Sequence, residues 1–397
     1  MASLKYWIWL CECKGLRARS KLLLLDHFGS PENIYYADHE EYLHVDGLSV
    51  KQADLLADRS LDGADRILGD CQRLQVQIVT MQDATYPNRL RNIYEPPCVL
   101  YVKGRMPSFD EEVAIAVVGT RDATPYGLSA AEKLGYSLAK QGALVVSGAA
   151  RGNDTAALHG ALRAGGTTTA VLGCGVDVVY PEENTWLYED VAATGALLSE
   201  YPPGTQAEGW HFPARNRLIS GLCLGTVVVE APERSGALLT ANNALEQGRD
   251  VFAVPGPIDA PMSRGCNRLI RDGAFLVSES RDILCEYQAQ YPHKLRMNEV
   301  ELPRVFGYQR QREKAVQQEQ AVEKMTLDLA ADDKNLTEDQ IHILRALRED
   351  DRQVDDLIEL TGIPTRRVLS ALTLLELEGY VAQDSGKRFS LQVELKE

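Results

Sequence analysis

Three short segments of the sequence place arginine next to glycine or asparagine. They are Gly-Thr-Arg at 119–121, a glycine-rich turn at 148–152 that contains Arg151, and Arg-Asn-Arg at 215–217. A guanidinium group can form bidentate hydrogen bonds with two oxygens of a phosphate. Glycine-rich turns at the start of a helix direct backbone N–H groups towards an anion. The pattern predicts a phosphate-binding site.

An aromatic residue precedes the third segment. Phe212 lies shortly before Arg215 and Arg217 in the chain. Aromatic rings stack on bases while arginines hold phosphates, so this combination is typical of single-stranded nucleic-acid binding. An alternative stays open, in which Phe212 is a core residue and Arg217 pairs with Glu200 or Glu230.

The motifs of several common enzyme classes are absent from the sequence. It contains no GxxxxGK[ST] of P-loop ATPases and no HExxH, and neither a Ser/His/Asp set nor a paired-carboxylate cluster stands out. A site that is rich in Arg and Gly but poor in acid–base groups predicts binding without catalysis. We therefore expect no cofactor and no metal ion.

The strands and helices that must position these residues alternate along the chain between residues 70 and 290. Unbroken apolar runs separated by helical segments predict an α/β domain with a mainly parallel sheet whose strands are buried on both faces. We interpret 69–290 as an extended Rossmann-like domain. Its ligands should bind beyond the carboxyl ends of the strands, where the arginine segments fall. The predicted strands are 77–81, 114–118, 142–147, 167–173, 195–199, 225–231 and 251–256, and the predicted helices are 127–141, 154–165, 184–193, 217–223 and 237–247.

Two further parts flank this domain. Residues 1–68 have mixed helical spacing, and 44–56 resembles one helix-hairpin-helix element; a helical bundle used only for packing or protein contact is the alternative. The polar, Gln-rich stretch 291–334 predicts a linker. Helical patterns followed by a short hairpin predict a winged helix at 335–397.

The predicted winged helix is acidic. Residues 334–397 hold nine Lys and Arg against thirteen Asp and Glu, a net charge of −4. Modules that read duplex DNA normally carry a basic face. The role of this module therefore stays open between DNA binding through Arg366 and Arg367 and a protein-contact or structural role.

Composition limits the class of protein. The chain has 397 residues and a formal net charge of −15, so any nucleic-acid site must be a local cationic patch on an acidic body. None of the eight cysteines forms a CxxC pair, which favours reduced, buried thiols in the cytosol. We expect no secretion signal, because the apolar run near 6–13 is short and basic residues follow it. No run of about 20 apolar residues is present, so we expect no membrane span.

The motifs together resemble the DprA/Smf family, the DNA-processing protein A of bacterial natural transformation. The matching segments run in family order over 114–275: VVGTRDATPYG, VSGAARGNDTAALHGAL, AVLGCGVDVVYPEEN, LLSEYPPGT, FPARNRLISGL, VVVEAPERSGALLTANNALEQGRDVFAVPG and SRGCNRLIRDGA. The resemblance implies a SAM-like N-terminal domain, an extended Rossmann domain and a C-terminal winged helix.

The resemblance also implies a function. Such proteins bind single-stranded DNA and form homodimers through the Rossmann domain, protect incoming DNA and load RecA on it, in the cytoplasm. By the resemblance, Arg121, Arg215 and Arg217 contact phosphates and Phe212 stacks on a base. With the patterns above, the predicted contact residues are Gly119, Thr120, Arg121, Ser147, Gly148, Arg151, Gly152, Phe212, Arg215, Asn216, Arg217, Ser235 and Gly236.

One departure from the family pattern affects the site. Many relatives carry a lysine shortly before the Phe-Pro of this loop, where this chain reads AEGWHF; Trp210 or His211 is the candidate replacement. Two other classes of function stay open. One is a nucleotide-cleaving Rossmann enzyme, although the Gly-Gly-x-Gly-Thr-x-x-Glu loop is missing. The other is a regulator that binds duplex DNA through the winged helix.

Overall fold

The computed structural model describes five parts of the chain, and the chain divides into two compact units at residue 300. Most of the predicted linker, 291–334, lies outside the described residues. No helix in the described parts is both long and apolar enough to cross a membrane. The described residues are 4–296, 326–328, 336–348, 352–384 and 388–396.

The first unit is built on a nine-stranded sheet with the order β1-β2-β6-β5-β4-β3-β7-β8-β9. Six of its eight strand pairings are parallel, and the two that involve β2 are antiparallel. The predicted mainly parallel sheet is thus confirmed. The strands are β1 Gln77–Thr80, β2 Val99–Gly104, β3 Ala114–Val118, β4 Leu144–Ser147, β5 Thr168–Leu172, β6 Ala196–Ser199, β7 Gly225–Val228, β8 Asp250–Ala253 and β9 Phe275–Leu276.

Helices cover both faces of this sheet. The central strands β3 to β7 are buried at every position, as their mostly apolar sequences predict. The sequence prediction missed β2 and β9. The helices are α1 Leu4–Glu12, α2 Ala18–Phe28, α3 Pro31–Tyr36, α4 His39–Tyr42, α5 Val50–Asp54, α6 Asp62–Leu74, α7 Asn88–Arg91, α8 Pro125–Lys140, α9 Asn153–Arg163, α10 Thr185–Thr194, α11 His211–Leu222, α12 Gly236–Glu246, α13 Arg264–Arg271 and α14 Ser280–Gln288.

The two faces of the sheet form separate apolar layers. On one face α8, α9 and α10 pack together with the N-terminal helices, so that Trp7 and Ile8 belong to the same core as Tyr101 and Val145. On the other face α11 and α12 cover the sheet, with Leu218 among the buried contacts. The helices of the first 74 residues therefore share a continuous core with the sheet.

The prediction for α11 was wrong at its start. The sequence prediction begins this helix at 217, whereas the helix runs from His211 to Leu222. Pro213 falls in the first turn, where its missing N–H has no carbonyl partner to lose. The whole Arg-Asn-Arg segment is thus helical. The position of each arginine around the helix axis therefore determines which of them faces inward.

The cysteines are free thiols. Cys71, Cys98, Cys174, Cys223 and Cys266 are buried. The expectation of general burial was wrong for the other three, because two are partly exposed and one is exposed; these are Cys11, Cys13 and Cys285.

The second unit has the three helices and small antiparallel sheet of a winged helix, as predicted. Its helices run Glu338–Ala346, Val354–Thr361 and Thr365–Leu377, and Thr337 caps the first of them with Gln340 in the predicted capping box. The predicted hairpin turn at 385–386 lies outside the described residues. The strands are β11 Arg352–Gln353, β12 Val381–Asp384 and β13 Arg388–Leu391 in the order β11-β13-β12, and β10 Thr326–Asp328 beside β14 Glu394–Lys396.

Helices α8 and α9 approach each other more closely than side chains would allow. A Cβ at Gly135 would overlap the carbonyl oxygen of Ala157, and one at Gly160 would overlap that of Glu132. Both neighbours are backbone atoms, which cannot move aside without shifting a helix. We expect Gly135→Ala to lower the free energy of unfolding by about 1–3 kcal/mol, measured by urea denaturation.

Gly69→Ala is the matched control for that substitution. Gly69 lies inside α6, and no atom lies within 4 Å of the position of its added Cβ. Alanine should therefore raise stability there, by up to about 1 kcal/mol, through helix propensity alone. Equal effects of the two substitutions would contradict the close approach of α8 and α9.

Candidate nucleic-acid interface

Eight of the thirteen predicted contact residues line a cleft at the point where the strand order reverses. In the sheet β3 lies between β4 and β7, and a cleft of about 400 Å³ opens beyond the carboxyl ends of these strands. Such a switch point is where open α/β sheets bind ligands. The lining includes Gly119, Thr120, Arg121, Phe212, Arg215, Asn216, Ser235 and Gly236 from the predicted set.

Arg121 provides an accessible charge at the mouth of this cleft. Its side chain is exposed, and its guanidinium carbon lies 4.7 Å from the centre of the Phe212 ring. The Tyr180 ring packs against the Phe212 ring, with a distance of 5.4 Å between their centroids. Within the described residues Arg121 has no acidic partner, so its charge is available to a ligand.

The central N–H group of the Gly-Thr-Arg turn points inward, contrary to expectation. The N–H of Thr120 donates to the carbonyl of Glu230 at 2.8 Å. The Glu230 carboxylate in turn accepts from the hydroxyl and the N–H of Thr124 at 2.7 and 2.9 Å, which fixes the start of α8. The turn is therefore held from within by Glu230, and the exposed side chain of Arg121 lines the cleft.

The glycine-rich turn 148–152 also closes around an internal group. Asp154 is 5% exposed, and its Oδ2 accepts from the N–H of Gly148 at 3.1 Å. Burial raises the pKa of the Asp154 carboxyl, while the Arg215 charge and the N–H groups of Ala150, Gly119 and Gly148 act in the opposite direction. The N–H groups that were expected to hold a ligand phosphate already hold this carboxylate.

Gly152 makes the close contact between the two turns possible. Its φ is +83°, and a Cβ there would lie 2.5 Å from the carbonyl oxygen of Thr120 and 2.7 Å from that of Arg121. Only glycine combines this backbone conformation with this approach at low cost. Gly152 thus shapes the cleft without contacting its interior.

Arg215 belongs to the lining of the cleft but is almost completely buried there. It is 4% exposed, and its Nη1 donates to the carbonyls of Gly148, at 2.7 Å, and of Val171. Burial lowers the pKa of its guanidinium, and the charge of Asp154 opposes that shift. Arg215 therefore links two strand ends and balances a buried carboxylate.

The neighbours of Arg215 on α11 are also engaged. Arg217 pairs with Glu200 through two contacts of 2.8 and 2.9 Å, which is one of the partners that the sequence suggested. The Asn216 amide donates to the carbonyl of Gly236 at 3.3 Å and so joins α11 to the start of α12. Both side chains therefore already have partners within the protein.

The other predicted donors have internal partners as well. The Ser147 hydroxyl donates to the carbonyl of Val117 at 2.6 Å and is completely buried. The Ser235 hydroxyl accepts from the N–H of Ala237 at 3.2 Å and caps α12. Arg151 is exposed, but its Nε lies 2.7 Å from Glu183.

The predicted contact set left out several lining residues of this cleft, among them Arg234 and Gly209. Arg234 lines it from the loop before α12, is exposed, and has no acidic partner among the described side chains. Its signal was available, because Arg234 precedes Ser235 and Gly236 directly at a strand-to-helix turn. Gly209 lines the cleft within the segment where relatives carry lysine, and beside it Trp210 is 65% exposed.

Trp210 belongs to a row of rings beside the cleft. Its indole lies 4.0 Å from the His211 ring, and His211 lies 4.0 Å from Tyr201. The indole N–H donates to Glu208 at 2.6 Å, which holds the ring at the start of α11. A flat, exposed and restrained aromatic ring is the kind of group on which nucleobases stack.

The arrangement defines a class of protein: a Rossmann-like chain whose switch-point cleft has a cationic, aromatic rim, joined to a winged helix. Comparison with known proteins gives the same result. The DNA recombination-mediator protein A model matches residues 77–288, and the DprA winged helix domain model matches residues 328–387. The chain belongs to the DNA recombination-mediator protein A family.

Individual relatives extend this match along the chain. The protein Smf of Synechocystis sp. is 34% identical over 390 residues, covering 97% of this chain and 98% of its own length. The DNA processing protein DprA of Streptococcus pneumoniae is 45% identical over 206 residues, covering 52% of this chain and 72% of its own. The X-ray structure of DprA from Streptococcus pneumoniae superposes with a TM-score of 0.62 at 36% identity and covers 71% of this chain and 97% of that one.

Proposed function

We propose that the protein binds single-stranded DNA across the rim of the switch-point cleft and acts there without catalysis. The observation that carries the proposal is the combination of accessible charge with one half-buried and one exposed aromatic ring. Arg121 and Arg234 are exposed cations without acidic partners in the described chain. Phe212 lines the cleft with them, and the exposed Trp210 follows the lining residue Gly209 in the chain. Phosphates would contact the arginines and bases would stack on the rings.

A single strand fits this rim better than a duplex or a free nucleotide. Base faces are accessible for stacking in a single strand, whereas a duplex hides them. A nucleotide enzyme would need acid–base groups near the bound ligand. Instead, Asp154 in the lining of the cleft and the buried Glu230 are engaged in hydrogen bonds that hold the turns.

Membership in the family supports the wider role. We propose that the protein protects incoming DNA, loads RecA on it during natural transformation, and works in the cytoplasm as a homodimer formed through the Rossmann-like domain. The strand β9 supports the last point, because it lies at the edge of the sheet with Phe275 and Leu276 46% and 49% exposed. An exposed apolar edge strand is a common pairing surface.

The winged helix receives a protein-contact or structural role in this proposal. Arg367, one of the two arginines that could face a duplex, pairs with Asp339 at 2.7 Å. Together with the acidic balance of the segment, this pairing disfavours a basic DNA-reading face.

The proposal is tested with a labelled dT oligomer and a matching duplex across a salt series. We expect the full chain to prefer the single strand, and its log K to fall by roughly 0.7 per phosphate contact for each decade of salt. Fluorescence anisotropy measures both. The intrinsic fluorescence of the exposed Trp210 should be quenched in the same titration if bases stack on it. A preference for duplex, or binding that does not respond to salt, would overturn the proposal.

A further inference from the structure

A buried carboxylate occupies the position where a Rossmann-like turn normally receives a phosphate. Asp154 lies in the first turn of α9, directly beyond the carboxyl end of β4. Helix starts and glycine-rich turns of this kind bind anions, because their N–H groups converge and the helix dipole favours negative charge. Here the anion on which the N–H groups converge is a side chain of the protein itself, the Asp154 carboxylate.

The contacts of Asp154 are those of a bound oxyanion. It accepts from the N–H of Gly148 at 3.1 Å, and the N–H groups of Gly119 and Ala150 also act to lower its pKa. These three groups come from two different turns, one after β3 and one after β4. The buried Arg215 adds the counter-charge.

The surroundings indicate a built site, not a chance contact. Gly148 has no side chain, and a Cβ there would lie 2.5 Å from Nη2 of Arg215, so the guanidinium reaches the turn only because glycine is present. Asn153 is fully buried against Gly119, and both polar atoms of its amide lack a partner in the described structure. Asp154 and Arg215 both line the floor of the cleft.

We propose that Asp154 is an internal substitute for a phosphate: its carboxylate fills the anion site formed by the two turns and Arg215, and thereby excludes small phosphates from the floor of the cleft. Ligands then bind only at the rim, through Arg121 and Arg234. A free phosphomonoester, which would need the floor, is rejected, whereas a polymer that contacts several groups along the rim is accepted. Selective binding at the rim rests on the DNA binding proposed above, whereas the occupation of the floor by Asp154 is tested separately from it.

The inference predicts that removing the carboxylate creates a binding site for small oxyanions. In Asp154→Ala the three N–H groups and Arg215 remain, but their resident anion is gone. We expect this variant to melt below the wild type in sodium chloride. Its melting temperature should rise saturably with inorganic phosphate or acetate at matched ionic strength, and the wild type should show no such rise. Differential scanning fluorimetry of the full chain measures both.

Two further variants distinguish an anion site opened by the loss of Asp154 from a general increase in positive charge at the cleft. Glu183→Ala frees the exposed Arg151 near the same cleft without opening a cavity, so it should not respond to phosphate. Asp154→Asn keeps a carbonyl oxygen in the site and should respond far less than Asp154→Ala. An equal response of all three variants would overturn the inference, because charge alone would then explain it.

A failure of Asp154→Ala to fold in chloride still gives a decisive result. The variant is then refolded in parallel in phosphate and in chloride of equal ionic strength, with circular dichroism as the readout. A higher yield of folded protein in phosphate supports the inference. Equal yields, or a melting temperature that chloride and phosphate change alike, would show that no anion site exists there.

Discussion

Replacing Arg215 by alanine is expected to lower the free energy of unfolding by about 3–5 kcal/mol, because it leaves the buried Asp154 carboxylate without its counter-charge. The carbonyls of Gly148 and Val171 also lose their donor. Chemical denaturation measures the change. We expect DNA affinity to fall only in proportion to the unfolded fraction.

The same variant should show a characteristic dependence on pH. Burial already raises the pKa of Asp154 above its ordinary value of 3.8, and losing Arg215 raises it further. A carboxyl whose pKa is raised in the folded state binds a proton more tightly there than in the unfolded chain, so protonation favours folding. The stability deficit of Arg215→Ala relative to the wild type should therefore shrink as the pH falls below neutrality towards the pKa of the buried carboxyl.

Arg163→Ala is the control for this prediction. Arg163 is exposed and pairs with Glu132 on the helical surface, where such a pair contributes about 0–1 kcal/mol. Its deficit should be small and should not shrink in the same way. A folded Arg215→Ala with wild-type stability and a selective loss of DNA binding would instead identify Arg215 as a ligand contact.

Replacing Arg121 and Arg234 together is expected to have the largest effect on DNA binding. Each is exposed, lines the cleft and lacks an acidic partner in the described residues, so each can form charge-assisted hydrogen bonds with a phosphate. Such bonds contribute about 1.5–3 kcal/mol each, or roughly tenfold or more in affinity. The slope of log K against log salt should also flatten by about 0.7 for each arginine lost.

The measurement is a salt titration with the labelled dT oligomer for the wild type, the two single variants and the double variant. Arg151→Ala is the matched comparison, because its guanidinium already pairs with Glu183 and should contribute less to the slope. Folding is checked by melting, which these exposed positions should leave unchanged. A larger loss in Arg151→Ala than in Arg121→Ala would move the phosphate path to the other side of the cleft.

Much of the fold could be predicted from the sequence because strands buried on both faces leave a clear pattern. The central strands β3 to β7 have no exposed position, and their sequences are mostly apolar with no charged residue. The two-residue strand β9 was missed because it is too short and exposed to show a pattern. The strand β2 was missed although its sequence is apolar, because it enters the sheet antiparallel and outside the βαβ alternation.

The site could be located but not assigned residue by residue. Arg121 and Phe212 do meet at the cleft, as the strand ends imply. Arg215 was expected to be accessible, since the start of α11 was placed too late. A helix that begins at 211 puts Arg215 on one face with the buried Leu218 and Leu222, and that spacing was the available signal. The role of Asp154 depends on contacts between two turns, which no local pattern contains.

The core that the first helices share with the sheet has a consequence for how the chain could change. Trp7 and Ile8 are 3% and 0% exposed, and they pack in the same apolar layer as Tyr101 and Val145. Deleting α1 would expose large aromatic and aliphatic side chains on this face of the sheet. Exposed apolar patches of this kind promote aggregation. The N-terminal helices are therefore an integral part of the domain core. A shortened homologue that lacks them would need other residues to cover that face of the sheet.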